Sequence, residues 1–363
     1  MNRLVGGVGV TDWTALCSRW QLMASETLPV ALDAMGGDHA PLEIVAGAVL
    51  AVRELGVPVV LVGQPRVLYE ALSAHDATGE VPIVRAEETL AMDEGALASL
   101  RRPRSSIAVA CHLLRRGDAA AVVSAGSTAG VVATGKLRLR AQHGVLRPAI
   151  AVALPTLPNP TILVDAGANA DVKPEMLVQF AHLGAAYVES ALDVKTPRVG
   201  LLTIGAEPEK GNKLAKRAHE LLQASPGLHF TGNIEGHELL TGKVDVIVTD
   251  GFTGNIALKT MEGSVRYAFG QLRDTVAESR VAKLGGLLQR SRMRELYRRL
   301  DPEAHGGAVL LGLNGTVVIA HGSSRARGIA SACELAARLA TGKIVTRVGD
   351  RVSAIPRSHR LWG

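Results

Sequence analysis

The segment Val244–Gly263 changes abruptly from one kind of local structure to another. Its apolar run Val244–Val248 is typical of a strand that is buried on both faces of a parallel sheet. The polar turn Thr249–Asn255 follows, and a helical pattern begins at Ile256. Open α/β sheets bind ligands where strands end and helices begin, because the free N–H groups of a helix start attract anions.

The same arrangement recurs at four further strand ends, whose polar turns are Asp33–His39, Ser124–Gly130, Asp165–Asp171 and His321–Ser324. Three aspartates, Asp33, Asp165 and Asp250, end or nearly end their strands. A single aspartate at such a position usually caps a helix or forms a turn. Three of them at equivalent sheet edges indicate a shared polar site, so the five turns predict one anion-binding cleft.

Apolar runs alternate with helical patterns from Leu28 onward, which predicts an α/β fold with a mostly parallel sheet wrapped by helices. The predicted strands are Val30–Asp33, Val57–Gly63, Val81–Arg85, Ala119–Ser124, Ala149–Leu154, Thr161–Asp165, Arg198–Ile204, Val244–Thr249 and Val317–Ala320. The predicted helices are Leu42–Leu55, Ser105–Arg115, Thr128–Arg140, Pro174–Leu192, Gly211–Ala224, Thr253–Phe269 and Arg325–Ala340. We expect residues 1–27 to be a disordered extension, residues 28–344 to be a single catalytic unit and residues 345–363 to be a C-terminal tail.

The composition argues against a membrane-spanning protein and against a nucleic-acid-binding protein. Of the 363 residues, 47% are hydrophobic, yet no apolar run reaches roughly 18 residues, so no membrane span is expected. The three cysteines have no paired spacing, which favours a reduced cytosolic setting. The net charge of +6 favours an acidic partner or an anionic membrane surface. A nucleic-acid partner is not expected, since no nucleic-acid motif occurs and only 3% of the residues are aromatic.

Residues 271–300 are rich in arginine and carry two apolar sets on nearly opposite sides of an ideal helix. One set is Leu284, Leu287 and Leu288, and the other is Met293, Leu296, Tyr297 and Leu300. Two short amphipathic helices with a bend near Gly285–Gly286 explain this pattern. Such a helical arm either packs in a dimer, with its arginines solvated, or lies on a membrane surface.

Several catalytic motifs are absent or incomplete. The segment Gly130–Lys136 has the spacing of a Walker loop, but Leu137 stands where a serine or threonine would bind magnesium. No G-x-S-x-G nucleophile motif occurs. His39 and His321 are too isolated to predict a metal site, so neither a metal nor a cofactor is expected.

The ordered set of motifs resembles the bacterial phosphate acyltransferases, which convert acyl-acyl-carrier-protein and inorganic phosphate into acyl-phosphate. The segment Asp33–Pro41 is similar to their N-terminal signature. The motifs that follow in the same order are Ser124–Gly126, Asp165–Asn169, Lys173–Glu175, Lys210–Asn212, Gly232–Asn233, Thr249–Asn255 and Ala320–Ser324. The resemblance extends from about Leu28 to about Ala340.

This resemblance implies an isocitrate-dehydrogenase-like architecture and a homodimer that supplies acyl-phosphate to phospholipid synthesis. The acyl donor would be the acidic acyl carrier protein, for which Arg101–Arg104, Arg115–Arg116 and Arg138–Arg140 are candidate docking charges. The protein would be cytoplasmic and peripherally associated with the inner face of the cell membrane through residues 271–300.

Three segments depart from the family pattern. Ser127–Gly130 stands in place of Asn-Thr-Gly-Ala, Gly205–Glu207 in place of Gly-Thr-Glu, and Leu313–Thr316 in place of Leu-Lys-x-Pro. A serine at position 127 still donates a hydrogen bond, so we expect activity to survive.

Phosphate is already anionic near neutral pH, so the site needs positioning and oxyanion stabilisation rather than a strong base. We expect the catalytic groups to be Lys173, Asn233, Asn255, His39 and His321. A lysine would offset the phosphate charge, an asparagine would donate to the oxyanion, and a histidine would protonate the leaving thiolate. The residues expected to bind phosphate or substrate are Asp33, Gly36, Gly37, Asp38, Ser124, Gly126, Ser127, Thr128, Asp165, Asn169, Lys210, Asn212, Asp250, Gly251, Thr253 and Gly254.

Three other functions stay open at this point. A phosphate acetyl- or butyryltransferase would use a coenzyme A thioester, although the Asp33–Pro41 signature and the basic arm favour the carrier-protein donor. A metal- and NAD-dependent decarboxylating dehydrogenase would need more clustered carboxylates than Asp165 and Asp250. A non-catalytic scaffold on the membrane surface would leave the five polar turns without a purpose.

Overall fold

A single sheet organises the described part of the chain. The computed structural model describes residues 28–94, 96–300 and 306–355, so the predicted extension 1–27 and the end of the predicted tail lie outside the described residues. The strands of the described residues are β1 (Val30–Asp33), β2 (Val59–Gly63), β3 (Ile83–Arg85), β4 (Ala121–Ser124), β5 (Ala149–Leu154), β6 (Thr161–Val164), β7 (Arg198–Leu202), β8 (His229–Ile234), β9 (Val246–Val248), β10 (Ala308–Leu311) and β11 (Thr316–Ile319). They lie side by side in the order β3-β2-β1-β4-β11-β10-β5-β6-β9-β7-β8.

Helices cover both faces of this sheet. They are α1 (Leu42–Leu55), α2 (Pro65–Ser73), α3 (Ala96–Arg101), α4 (Ser106–Arg116), α5 (Thr128–Arg138), α6 (Pro174–Ala191), α7 (Lys213–Gln223), α8 (Gly251–Glu278), α9 (Arg280–Leu288), α10 (Arg290–Leu300), α11 (Ala326–Thr341) and α12 (Ile344–Ala354). One core cluster packs α1, α6, α11 and α12 against the sheet, and the other packs α4, α5 and the start of α8 against the opposite face. Strands such as β1, β4 and β9 are buried along their whole length, as their continuous apolar runs predict.

The sheet consists of two parallel blocks that run in opposite directions. Strands β3, β2, β1, β4 and β11 are parallel, and so are β6, β9, β7 and β8. Between the blocks, β10 is antiparallel to β11 and to β5, and β5 is antiparallel to β6. The prediction that Asp33, Asp165 and Asp250 lie at equivalent sheet edges is therefore wrong, because a buried apolar run carries no information about strand direction.

The register nevertheless brings the ends of the two blocks together. Ile319, which ends β11, pairs with Ala308 of β10, and Ala308 pairs with Val152 of β5. The neighbouring Ala151 of β5 pairs with Val164, which ends β6. The C-terminal ends of both blocks thus meet in the middle of the sheet, at adjacent positions of β5.

Most predicted elements occur within a few residues of their predicted bounds, but five were missed. Strand β8 is a half-exposed edge strand that contains Gly232, and β10 is a run of four residues that follows Gly306 and Gly307. Helices α2 and α3 are short, and α12 falls in the predicted tail. Val348 and Val352 of α12 are buried in the core, so the compact unit extends beyond residue 344.

The basic segment forms a helical arm. Helix α8 is 28 residues long, and only Gly251, Gly254 and Leu258 near its start are buried. The chain bends at Ser279, whose hydroxyl accepts the Ala282 N–H and caps α9. The two short helices of the arm meet at Gln289 rather than at Gly285–Gly286. In the described part of the chain, no helix combines the length and the apolar character that crossing a membrane requires.

A buried histidine on α6 makes the stability of this core depend on pH. His182 lies 3.0 Å from the Ser225 hydroxyl through Nε2, whereas its Nδ1 has no partner among the described residues. Burial, and to a smaller extent the charge of Arg351, lowers the pKa of His182 to about 4. The unfolded chain therefore binds a proton first as the pH falls. The folded state is therefore favoured as long as His182 is neutral. This contribution to the free energy of unfolding is complete above pH ~6.5 and is lost as the pH falls towards 4.

We predict that His182→Gln makes stability less sensitive to acid. The free energy of unfolding of the wild type should fall by up to roughly 3 kcal/mol more than that of the variant between pH 7.5 and pH 4.5. Urea unfolding at several pH values measures both slopes. Parallel slopes for the two proteins would contradict the assignment, whatever their absolute stabilities.

Candidate active site

A cleft of about 920 Å³ lies where the two blocks of the sheet meet. Ile150 and Val152 of β5, Ala308 of β10 and Ile319 of β11 form its floor. Helix α5 provides one wall and α8 the other. The cleft therefore collects the turns after β4, β6, β9 and β11, which are four of the five polar turns that the sequence singled out.

The walls carry more positive than negative charge. Helix α5 contributes Lys136, and α8 contributes Lys259, Glu262 and Arg266. Lys259 Nζ lies 2.8 Å from Glu262 Oε2, whereas neither Lys136 nor Arg266 forms an ion pair among the described residues. Burial, followed by the charge of nearby Arg147, lowers the pKa of Lys136. The charge of Asp165 raises this pKa in part, but Lys136 makes no ion pair among the described residues. A half-buried cation outside an ion pair favours an anionic ligand.

The carboxylate of Asp165 is fully committed to holding its own turn. Its Oδ1 accepts the N–H groups of Ile150, Gly167 and Ala168 at 2.9–3.1 Å. Its Oδ2 accepts the backbone and side-chain N–H groups of Asn169 at 2.8 Å. Burial raises the pKa of Asp165, and the hydrogen bonds from Ala168, Ile150, Gly167 and the Asn169 side chain act in the opposite direction. Asp165 thus shapes the turn and leaves no lone pair directed at a ligand.

The start of α8 packs directly on the Asp165 turn. The Gly251 N–H donates to the Asn169 carbonyl at 2.8 Å. A Cβ atom at Gly254 would collide with the Asp165 carbonyl oxygen, so only glycine fits there. Asn255 lies beside Gly167, which adopts φ +137°, and lines the cleft.

The starts of α5 and α8 differ in how well they can bind an anion. Asp250 caps α8 with a negative carboxylate, which accepts the N–H and the hydroxyl of Thr253 at 2.8 Å. Helix α5 is capped by the neutral Ser127, whose hydroxyl accepts only the Gly130 N–H. Thr128 and Ala129 line the cleft, and within the described residues their N–H groups have no acceptor. The start of α5 is therefore the better anion site, because it combines free donors with the positive end of the helix dipole.

The fifth polar turn, Asp33–His39, does not line the cleft but packs against the turn that leads into α5. The buried Asp33 carboxylate accepts the Ser124 hydroxyl at 2.7 Å and the Met35 N–H at 3.2 Å. Burial raises the pKa of Asp33, and these hydrogen bonds lower it in part. A Cβ at Gly36 would lie 2.9 Å from the Gly126 nitrogen, so the two turns are in close contact.

The turn after β11 completes this contact and brings His321 to the cleft. Asp38 N–H donates to the Gly322 carbonyl at 2.8 Å, and a Cβ at Gly37 would lie 3.4 Å from that same oxygen. His321 Nδ1 accepts the Ser323 N–H at 3.3 Å and lies 2.8 Å from its hydroxyl. The proton of the neutral imidazole is therefore on Nε2, which is free to donate to a ligand.

The other predicted site residues lie away from the cleft lining. Lys173 and Asn212 are exposed and occupy the N-cap positions of α6 and α7. Lys210 is exposed and packs against Gly205. Asn233 is 5% exposed, with its amide between the Glu207 carbonyl and His219 at 2.7 and 2.8 Å. The roles of these residues, and of the half-buried His39, stay predictions.

The charged residues of the cleft walls were not among the predicted site residues. Lys136 follows Thr128 and Val132 at the four-residue spacing of one helix face, and Lys259 follows Asn255 in the same way. This spacing is visible in the sequence. Some of the candidate docking arginines are paired, since Arg104 contacts Glu87 at 2.9 Å and Arg116 contacts Asp118 at 3.0 Å. Arg101, Arg115 and Arg140 form no ion pair among the described residues and are exposed.

Comparison with known proteins shows which family the chain belongs to. A family model described as a fatty acid synthesis protein matches residues 28–347. A phosphate acyltransferase of Thermobifida fusca is 61% identical over 339 residues, which covers 92% of this chain and 94% of that protein. The chain belongs to this family of phosphate acyltransferases. A second member, from Heliobacterium modesticaldum, is 46% identical over 310 residues and covers 85% of this chain and 92% of its own.

Solved structures support the fold of this phosphate acyltransferase. A phosphotransacetylase from Streptococcus pyogenes superposes with a TM-score of 0.62 at 17% identity and covers 91% of this chain and 99% of its own. The EutD phosphotransacetylase from Staphylococcus aureus superposes with a TM-score of 0.59 at 15% identity and covers 90% and 98%. These structures share the fold of the chain, and its membership of the family makes it an acyltransferase.

We predict that Gly254→Ala lowers kcat/KM of this acyltransferase at least tenfold. The added methyl group would push α8 away from the Asp165 turn, and misplacement by about 1 Å costs as much as 100-fold in rate. Gly263→Ala is the matched control on the same helix, because no atom lies within 4 Å of the point that its added methyl group would occupy. The control should keep its activity and gain up to about 1 kcal/mol of stability from the helix propensity of alanine. Equal activities of the two variants would contradict the packing role of Gly254.

Proposed function

We propose that this phosphate acyltransferase transfers a fatty acyl group from acyl-acyl-carrier-protein to inorganic phosphate, giving acyl-phosphate for phospholipid synthesis. The observation that carries the proposal is the start of α5, where free N–H groups face a cleft with excess positive charge. A nucleophilic side chain is not required, because phosphate itself attacks the thioester.

Phosphate would bind at Thr128 and Ala129, with Ser127 and the turns of Gly36, Gly37 and Gly126 holding the start of α5 in place. The close contacts between these turns keep the donors fixed before the substrate arrives. Fixed donors lower the barrier because they need no reorganisation during the reaction. Lys173 and Lys210 stay candidates for offsetting the phosphate charge, although of these three lysines Lys136 is the one that lines the cleft.

The reaction would proceed by addition and elimination. A phosphate oxygen attacks the thioester carbonyl carbon, the oxygen of that carbonyl becomes an oxyanion, and the C–S bond then breaks to release the thiolate. Asn255 lies on the cleft wall and would donate to the oxyanion, a contact worth about 3–4 kcal/mol in other acyl-transfer enzymes. The Nε2–H of His321 would donate to the leaving thiolate.

The acidic carrier protein matches the net charge of +6 of the chain. Because Arg102, Arg104 and Arg116 each contact a carboxylate, they offer less free charge than their sequence clusters suggested. Exposed arginines without an ion pair among the described residues are the better candidate docking charges. They are Arg101, Arg115 and Arg140 of the clusters and Arg290 and Arg294 of the arm.

The proposal is tested by an acyl-phosphate assay with palmitoyl-acyl-carrier-protein and inorganic phosphate, with palmitoyl-coenzyme A in parallel. We expect phosphate-dependent acyl-phosphate, trapped with hydroxylamine, from the carrier-protein substrate. Turnover of the coenzyme A thioester alone would replace the proposal with a phosphate acetyl- or butyryltransferase type of activity. Turnover of neither substrate would contradict it and favour the scaffold alternative.

We further propose that α9 lies on the inner face of the cell membrane. Val281, Leu284 and Leu288 recur along one side of α9 and are 81%, 61% and 79% exposed. A patch of this kind beside basic residues is typical of an interfacial helix. The alternative is that a second copy of the chain packs on this surface in a dimer.

A homodimer is also part of the proposal. Phe252 and Ile256 of α8 expose a second apolar patch that a second copy of the chain could cover.

We predict that Leu284→Glu combined with Leu288→Glu abolishes cosedimentation with vesicles of phosphatidylglycerol and phosphatidylethanolamine. Each buried leucine contributes about 1.5–3 kcal/mol to such binding, so the bound fraction should drop more than tenfold. Ile204→Glu is the control, because Ile204 is 81% exposed just beyond the end of β7. Unchanged vesicle binding together with a loss of dimer in sedimentation velocity would assign the patch to the dimer instead.

A further inference from the structure

Helix α8 presents a polar side chain to the cleft in each of four successive turns. Asn255, Lys259, Glu262 and Arg266 all line the cleft and are spaced by four, three and four residues. This spacing keeps them on one face of the helix. The residues form a polar stripe that is about 16 Å long, since a helix rises 1.5 Å per residue.

The opposite side of the cleft is apolar between Thr128 and Lys136 of α5. Val132 and Ala133 of α5 and Val152 of the floor face the cleft there. An elongated ligand in this trough would contact hydrocarbon on one side and hydrogen-bonding groups on the other. A fatty acyl chain suits these surroundings less well, because hydrocarbon offers no hydrogen-bond partner to the polar stripe.

We propose that the phosphopantetheine arm of the thioester donor lies along α8, with its phosphate at Arg266, its two amides beside Lys259 and Glu262, and its sulfur near Asn255. This inference rests on the proposed function. From sulfur to phosphorus the arm is a chain of about thirteen bonds, which spans roughly 16 Å when extended at ordinary bond lengths. The length of the arm thus matches the length of the polar stripe.

Arg266 is the residue of the stripe that suits a phosphate. It is exposed and forms no ion pair among the described residues, whereas Lys259 is paired with Glu262. A guanidinium group binds two phosphate oxygens at once. The Lys259–Glu262 pair offers one donor and one acceptor, which is what the N–H and C=O groups of an amide require.

The test compares palmitoyl-phosphopantetheine with palmitoyl-pantetheine, which lacks the phosphate, as donors for wild-type protein and Arg266→Gln. We expect kcat/KM of the variant to fall at least tenfold with the phosphorylated donor and to stay within twofold with the other donor. The loss corresponds to one charge-assisted contact, since tenfold equals ~1.4 kcal/mol. Arg273→Gln is the control, because Arg273 lies two turns further along α8 and contacts Asp274 at 3.3 Å. This variant should behave like the wild type with both donors.

An equal loss with both donors, or no loss with either, would overturn the assignment of Arg266 to the phosphate. Palmitoyl-acyl-carrier-protein and palmitoyl-coenzyme A distinguish the sources of the arm, and Arg266→Gln should impair whichever of these two donors the wild type uses. If the wild type uses both and the variant loses only one, Arg266 binds the carrier surface or the nucleotide rather than the shared phosphate. Absence of wild-type turnover with any thioester would refute the proposed function, and this inference with it.

Discussion

The reversal of strand direction across β10 and β5 is the constraint on which the rest of the structure depends. In an all-parallel sheet, every strand end faces one edge, and the site forms along that edge. Here the two parallel blocks run in opposite directions. The register aligns Ile319 with Val152 of β5, through Ala308, and pairs Val164 with the neighbouring Ala151. The turns that follow both blocks therefore face one cleft, and α5 and α8 become its walls.

The polar residues in and around that cleft divide into two groups. Asp33, Asp165 and Asp250 use their oxygens to accept backbone and hydroxyl donors of neighbouring turns, so they fix the shape of the site. Thr128 and Asn255 keep hydrogen-bonding groups directed at the cleft. Rigid turns around free donors are the arrangement that electrostatic stabilisation of an oxyanion requires.

The sequence predicted much of the fold because apolar runs and glycine-containing turns are local signals. Strand Ala149–Leu154 and helix Leu42–Leu55 were predicted to the residue. Strand direction depends on tertiary packing, so the meeting of the two blocks was not predictable. The charged wall was missed for a different reason: the spacing of Lys259 and Arg266 within α8 is visible, but which face of α8 lines a cleft is not.

The central claim is that inorganic phosphate binds between the two blocks of the sheet, at the start of α5. A crystal structure of the protein grown with inorganic phosphate tests it most directly. The account predicts phosphate density within hydrogen-bond distance of the Thr128 and Ala129 nitrogens. Phosphate held at Lys173 or Lys210 instead, with the start of α5 empty, would contradict it.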